Sequence, residues 1–278
     1  MQKMKNLKLL MILFIGIAIS TAYSCKKNDD TDEGGGDSGS KTCIVKKIIN
    51  SDGSYSLIKY NSDNKVTEIA DFDAAGTSDG KTELSYLNSK LNETKIIKTN
   101  GDLESKVVYA YNTQGKVEKG NLYSMVNGTL SKVGFYIYSF KGDNMAKQAL
   151  FLEIAGVSTE VNRFEFTYDA GNVKTVKEYK YDMSTATFKL SQTKDLTYDG
   201  KINPFRGIGL EFVIADPMTL SMANPTQITV SGDQGQVLQD ESMNMVYEYN
   251  ESKYPTKQTS TTFDNSQVEV TLLEYDCN

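Results

Sequence analysis

The chain has 278 residues, a net charge of −6, and neither histidine nor tryptophan. Without histidine, Ser-His-Asp and Cys-His catalysis, histidine proton shuttles and histidine zinc sites are excluded. Arg163 and Arg206 are the only arginines, and an acidic chain with so few lacks the basic patch of a nucleic-acid binder.

Residues 1–24 read as a targeting segment. Lys3, Lys5 and Lys8 form its positive start, and the apolar run from Leu9 to Ala22 is short for a membrane span. Ala22-Tyr23-Ser24-Cys25 resembles a bacterial lipobox, although Tyr23 occupies a slot that is usually small. The resemblance implies lipidation of Cys25. At about 0.8 kcal/mol per buried methylene, several acyl chains would hold the protein to a membrane. The alternative is an ordinary secretory leader that leaves Cys25 a free thiol. Cys25-Lys26-Lys27-Asn28-Asp29-Asp30 is similar to the surface-export signal of Bacteroidetes lipoproteins. That implies an outer-membrane lipoprotein exposed at the cell surface, with the periplasmic face as the alternative. Residues 25–41 are acidic and rich in glycine and serine, the composition of a flexible tether. Asp29, Asp30, Asp32, Glu33 and Asp37 read as a solvated spacer and not as a calcium site.

Residues 42–278 form one repeat-built β domain. The phrase apolar–x–Tyr–Asn/Asp–turn–Lys–Val recurs through it. Clear copies are Ile58-Lys59-Tyr60-Asn61 with Asn64-Lys65-Val66, and Tyr109-Ala110-Tyr111-Asn112 with Gly115-Lys116-Val117. Two more are Phe166-Thr167-Tyr168-Asp169 with Gly171-Asn172-Val173, and Leu196-Thr197-Tyr198-Asp199 with Gly200-Lys201-Ile202. Weaker copies centre on Tyr86, Tyr138 and Tyr249, and the last is cut off at Tyr275. These eight tyrosines are 26, 25, 27, 30, 30, 51 and 26 residues apart, the gap of 51 spanning two periods. A fixed period of this size marks a repeat architecture.

Asn or Asp followed by Gly or Asn supplies the left-handed conformations of tight turns, and tyrosine suits a strand. A second turn falls midway between the first set, at Asp52-Gly53, Asn100-Gly101, Asn127-Gly128, Ala155-Gly156 and Asp264-Asn265. Strands such as 103–111 and 188–198 alternate apolar and polar residues, the pattern of half-buried strands. The fold class is therefore all-β: an up-and-down antiparallel meander of about 14–16 strands, curled or barrel-like, with one irregular apolar insertion. The tyrosines should form a row near one end of the sheet. They read as core rings whose hydroxyls reach water at the rim, or as an aromatic binding stripe.

Asp71-Phe72-Asp73-Ala74-Ala75-Gly76 starts like a calcium loop, but Ala75 and Thr82 stand where oxygen ligands are needed, so it reads as a turn and no metal is expected. No cofactor fingerprint is visible. Glu153, Glu160, Glu165 and Glu178 are the carboxylates that a glycoside hydrolase could use in pairs. Residues 199–245 break the rhythm with Pro204, Pro217 and Pro225. The apolar run from Gly207 to Met222 predicts a short helix or compact loop, and residues 205–224 should cap or plug the open end. A lipid-spanning barrel is disfavoured because Gln192 and Lys194 interrupt the row from Phe188 to Tyr198. Cys43 and Cys277 can form a disulfide only if the two terminal strands meet, which would close the meander.

The tyrosine phrase resembles the tyrosine–aspartate repeats of Rhs-type proteins, with Lys116 where those usually carry Arg. With Tyr198–Phe205 and Asn224-Pro225-Thr226, residues 43–276 look more like Bacteroidetes lipoproteins described as having a porin-like β fold. That resemblance implies a fold and an envelope setting, and carries over no catalytic residue. The resulting expectation is a binding or scaffold module, held to a membrane by its lipid and engaging a glycan or an envelope protein. A carboxylate-dependent glycan hydrolase is the alternative.

Overall fold

The computed structural model describes residues 42–277 apart from residues 155, 183 and 214. The leader, Cys25 and the tether lie outside the described residues. Sixteen antiparallel strands run in chain order: β1 Cys43–Ile49, β2 Tyr55–Tyr60, β3 Val66–Phe72, β4 Ser78–Leu87, β5 Lys90–Ile97, β6 Leu103–Tyr111, β7 Val117–Val126 and β8 Thr129–Lys141. They continue with β9 Asn144–Ile154, β10 Val157–Asp169, β11 Asn172–Asp182, β12 Thr187–Tyr198, β13 Pro225–Gly232, β14 Met243–Tyr249, β15 Pro255–Thr262 and β16 Val268–Cys277. Each pairs with its sequence neighbours, and β1 pairs with β16, so the meander closes into a barrel. The Cys43–Cys277 disulfide fastens that seam at its end, with Cα atoms 4.1 Å apart. Closure leaves no sheet edge exposed.

The turns are those the local chemistry asks for. Asn64, Asn127 and Asn265 sit at positive φ, as do Gly53, Gly101 and Gly128. Asp73 caps its turn by accepting from the Ala75 and Thr77 N–H groups at 2.9 and 2.8 Å. Asp71 instead points inward and accepts from Ser56 Oγ at 2.5 Å.

A register shift recurs at each phrase. The extra residue lies on the odd-numbered strand, for example Thr67 between Lys59↔Glu68 and Tyr60↔Val66. It returns opposite Tyr86, Tyr111, Phe140, Tyr168, Tyr198, Tyr249 and Tyr275. A β-bulge of this kind bends its strand and disrupts the ladder locally. Repeated around the ring, it defines one rim of the barrel.

Side chains on the same face as the phrase tyrosines point into the lumen. Near the bulged rim they are apolar and buried, among them Val45, Ile58, Val66, Val117, Phe166, Val173 and Leu196. The outer wall is charged at mid-strand. Glu68 joins Lys59 at 2.7 Å and Lys81 at 3.1 Å, and Glu93 joins Lys95 at 3.0 Å and Lys106 at 2.8 Å. Arg163 lies over the rings of Tyr179 and Phe188 and pairs with Glu160 and Glu165. A lipid-facing Lys or Arg costs about 2–4 kcal/mol at the bilayer midplane. This wall is therefore built for water and not for hydrocarbon.

Candidate functional site at the plugged rim

The connection between β12 and β13 folds back into the bulged mouth. Its base is tied by Asp199, which accepts from the Asn224 backbone and side-chain amides, both at 3.2 Å. Asn203 donates to the carbonyls of Met218 and Ser221. A single short helix, α1 Pro217–Leu220, follows Asp216, whose carboxylate accepts from the Met218 N–H at 2.8 Å. Phe205, Ile208, Leu210, Met218 and Leu220 are buried, each contributing about 1.5–3 kcal/mol of transfer free energy. The segment also stitches itself to the wall. The Val66 N–H donates to Ile208 O at 2.8 Å, the Val173 N–H to Ser221 Oγ at 3.0 Å, and the Ala223 N–H to Asn172 Oδ1 at 2.8 Å.

The tyrosine row lies around this mouth, but its hydroxyls do not reach water at the rim. Tyr60, Tyr86, Tyr111, Tyr198 and Tyr275 donate to the carbonyls of Val45, Val66, Leu91, Val173 and Pro255 at 2.6–2.8 Å. Each accepting residue immediately precedes a bulged residue. The bulge disturbs the ladder there, and the hydroxyl supplies the donor a buried carbonyl needs. The other three phrase tyrosines do not make this bond. Tyr247, not Tyr249, donates to Pro225 O at 2.8 Å, while Tyr249 bonds Asp199 and lies under the Lys201 ammonium. In the fourth copy Phe140 takes the opposed position, and Tyr138, one step deeper, donates to Phe212 O of the plug at 3.1 Å. The Tyr168 hydroxyl is buried without a hydrogen-bond partner among the described residues.

Beside Phe140, the plug leaves a cleft of about 290 Å³. Tyr86, Tyr111, Phe140 and Phe212 give it aromatic walls, and Lys65, Lys90 and Lys116 give it positive charge. These lysines occupy the same position in three successive copies of the phrase. The Lys65 ammonium donates to Gly207 O of the plug, Lys90 stands 5.0 Å from the centre of the Tyr111 ring, and Lys116 pairs with Asp143 at 3.1 Å. Glu211 of the plug also lines the cleft, and its Oε2 is enclosed without a hydrogen-bond partner. Burial, and then the Glu211 charge, raise the hydroxyl pKa values of Tyr86 and Tyr111, the latter to about 12. Both hydroxyls therefore stay protonated as donors. Sequence reading missed this cleft. Its signal was the recurring lysine before the strand-opening apolar residue.

The four glutamates do not gather at one site. Glu153 binds Lys132 at 2.5 Å on the outer wall, where Glu160 and Glu165 flank Arg163. Glu178 alone faces the lumen. Burial opposes its charge, yet the Gln192 and Asn162 amides and the Lys180 ammonium hold its carboxyl below the usual range. No group of three His, Cys, Asp or Glu residues suited to a metal occurs among the described residues.

No protein-family model and no curated protein matches the chain. Solved structures do. A porin-like protein from Bacteroides vulgatus superposes with a TM-score of 0.56 at 13% identity, over 84% of this chain and 99% of its own. A porin-like protein from Bacteroides uniformis gives 0.54 at 13% identity, over 84% and 98%. The chain therefore has a closed, porin-like antiparallel barrel fold, with a charged outer wall and one mouth filled by its own β12–β13 connection.

Proposed function

We propose that this chain is a lipid-anchored binding or scaffold module of a bacterial cell envelope, and that it engages its ligand at the plugged rim. The observation that carries the binding reading is the cleft between plug and wall, where three lysines, four aromatic rings and an unsatisfied Glu211 oxygen converge. Concave sites of this kind, apolar with a few converging polar groups, are where ligands bind. The lipobox-like run Ala22-Tyr23-Ser24-Cys25 and the ion pairs on the outer wall support the anchoring reading. The fold likeness to porin-like Bacteroides proteins is in keeping with an outer-membrane, surface-exposed setting. The tether would join the barrel at Cys43, on the same rim as the cleft. Its 17 residues reach about 55–60 Å when extended, enough to let the rim turn away from the bilayer.

The test is a binding screen of glycans and envelope proteins against the full chain and its Phe212→Ala variant. A ligand that binds the parent and loses at least tenfold against the variant supports the reading. Ligands that bind both alike, or none that bind either, would sink it.

A further inference from the structure

We infer that the rim cleft recognises a uronic acid residue of a glycan. The inference rests on the binding-module reading and names the ligand class of that site. Three features select such a ligand together.

The first is unanswered positive charge. Lys116 is neutralised by Asp143, but no carboxylate of the described residues lies at ion-pair distance from Lys65 or Lys90. A ligand carboxylate in the cleft would be drawn to these two lysines, both of which line it. The second is the Glu211 oxygen. Buried polar atoms are ordinarily satisfied, and this carboxylate lines the cleft with one oxygen that has no donor among the described residues, so a ligand donor would be answered there once the side chain turns toward it. A sugar hydroxyl supplies that donor on the same ring that carries the carboxylate. The third is the wall. Phe212 packs edge-on to Phe140 and Tyr138 at 6.3 and 5.9 Å, and this aromatic surface suits the C–H face of a pyranose ring. At about 290 Å³ the cleft lies just under the range of small-molecule sites, which begins at about 300 Å³. It accommodates one ring, with the rest of the glycan outside. A neutral sugar leaves Lys65 and Lys90 unanswered. An acidic peptide supplies carboxylates but no hydroxyl-bearing ring.

Isothermal titration of the full chain with four probes tests this: an oligogalacturonate, a neutral galactose oligomer of equal length, an oligoglutamate peptide and inorganic phosphate. Oligogalacturonate should bind and the other three should bind at least tenfold more weakly. Its affinity should fall with added salt, and fall at least tenfold in both Lys90→Met and Glu211→Met. Lys95→Met, on the outer wall, should bind like the parent, and matched thermal unfolding would exclude misfolding of the variants. Equal binding of the galactose oligomer or of phosphate overturns the inference. So does oligogalacturonate binding that ignores Lys90→Met and Glu211→Met. Oligoglutamate that binds as tightly, with the same loss in these variants, refutes the uronate while leaving the cleft a binding site. If the wider screen finds no ligand sensitive to Phe212→Ala either, the binding-module reading fails too.

Discussion

Replacing Gly209 by alanine should release the plug from the wall. Gly209 holds φ at 95°, and a Cβ there would fall inside contact distance of the Tyr86 hydroxyl. A side chain in left-handed backbone costs about 1–2 kcal/mol. Pushing Tyr86 aside also removes its 2.8 Å hydrogen bond to Val66 O, worth about 1 kcal/mol net. The sum is about 2–3 kcal/mol, or roughly 5–10 °C in Tm for a domain of this size. Gly207→Ala is the internal control. Its φ is 74° but nothing lies within 4 Å of the added methyl, so it should lose only the backbone part, about 1 kcal/mol. Urea unfolding followed by tyrosine fluorescence would measure both. Adding Tyr86→Phe to Gly209→Ala should cost less than the sum of the separate losses, because both act on one contact. Equal losses for Gly207→Ala and Gly209→Ala, or full additivity with Tyr86→Phe, would refute the docking described here.

Tyr198→Phe removes a hydroxyl shared by Val173 O and Ser221 Oγ and should cost about 1–2 kcal/mol in urea unfolding. Tyr168→Phe removes a buried hydroxyl with no partner and should be neutral or stabilising in the same assay. Burial raises the Asp216 carboxyl to about 6, against the opposing Met218 N–H and Lys194 charge. The folded chain then binds more protons than the unfolded one between the two pKa values. Stability should accordingly fall as pH rises from about 4 to 6, by on the order of 2 kcal/mol, and Asp216→Asn should flatten that slope while keeping the cap. Reducing the Cys43–Cys277 bond frees a loop closed across 234 residues and should cost up to about 5 kcal/mol, with little change in far-UV circular dichroism because β1 and β16 stay paired.

The architecture was legible because it is periodic. Each phrase carries its own turn chemistry and alternation, so the strand count follows from the tyrosine spacing. Closure was only conditionally legible, since pairing of β1 with β16 depends on curvature summed over the whole ring. The inward turn of the tyrosine hydroxyls was not legible. It depends on a bulge one residue past each strand opener, and residues such as Thr67 and Lys174 look like ordinary outward strand residues. Tyr249 does stand opposite its bulge, but its neighbour Tyr247 makes the backbone bond, and in the fourth copy Phe140, not Tyr138, holds the opposed position. The cleft was half legible. Lys65, Lys90 and Lys116 share one repeat position, but nothing local says that Glu211 and Phe212 would arrive beside those copies and not others.

The proposal that this porin-like barrel, with its charged outer wall, is held to the membrane through Cys25 makes one demand that membrane fractionation can check. Processed full-length chain should sediment with membranes, and the Cys25→Ala chain should be released into the soluble fraction in detergent-free buffer, folded and monodisperse. A Cys25→Ala chain shown by its N-terminus to have lost the leader, and yet remaining in membranes through alkaline carbonate extraction, would mean that the charged wall spans lipid after all.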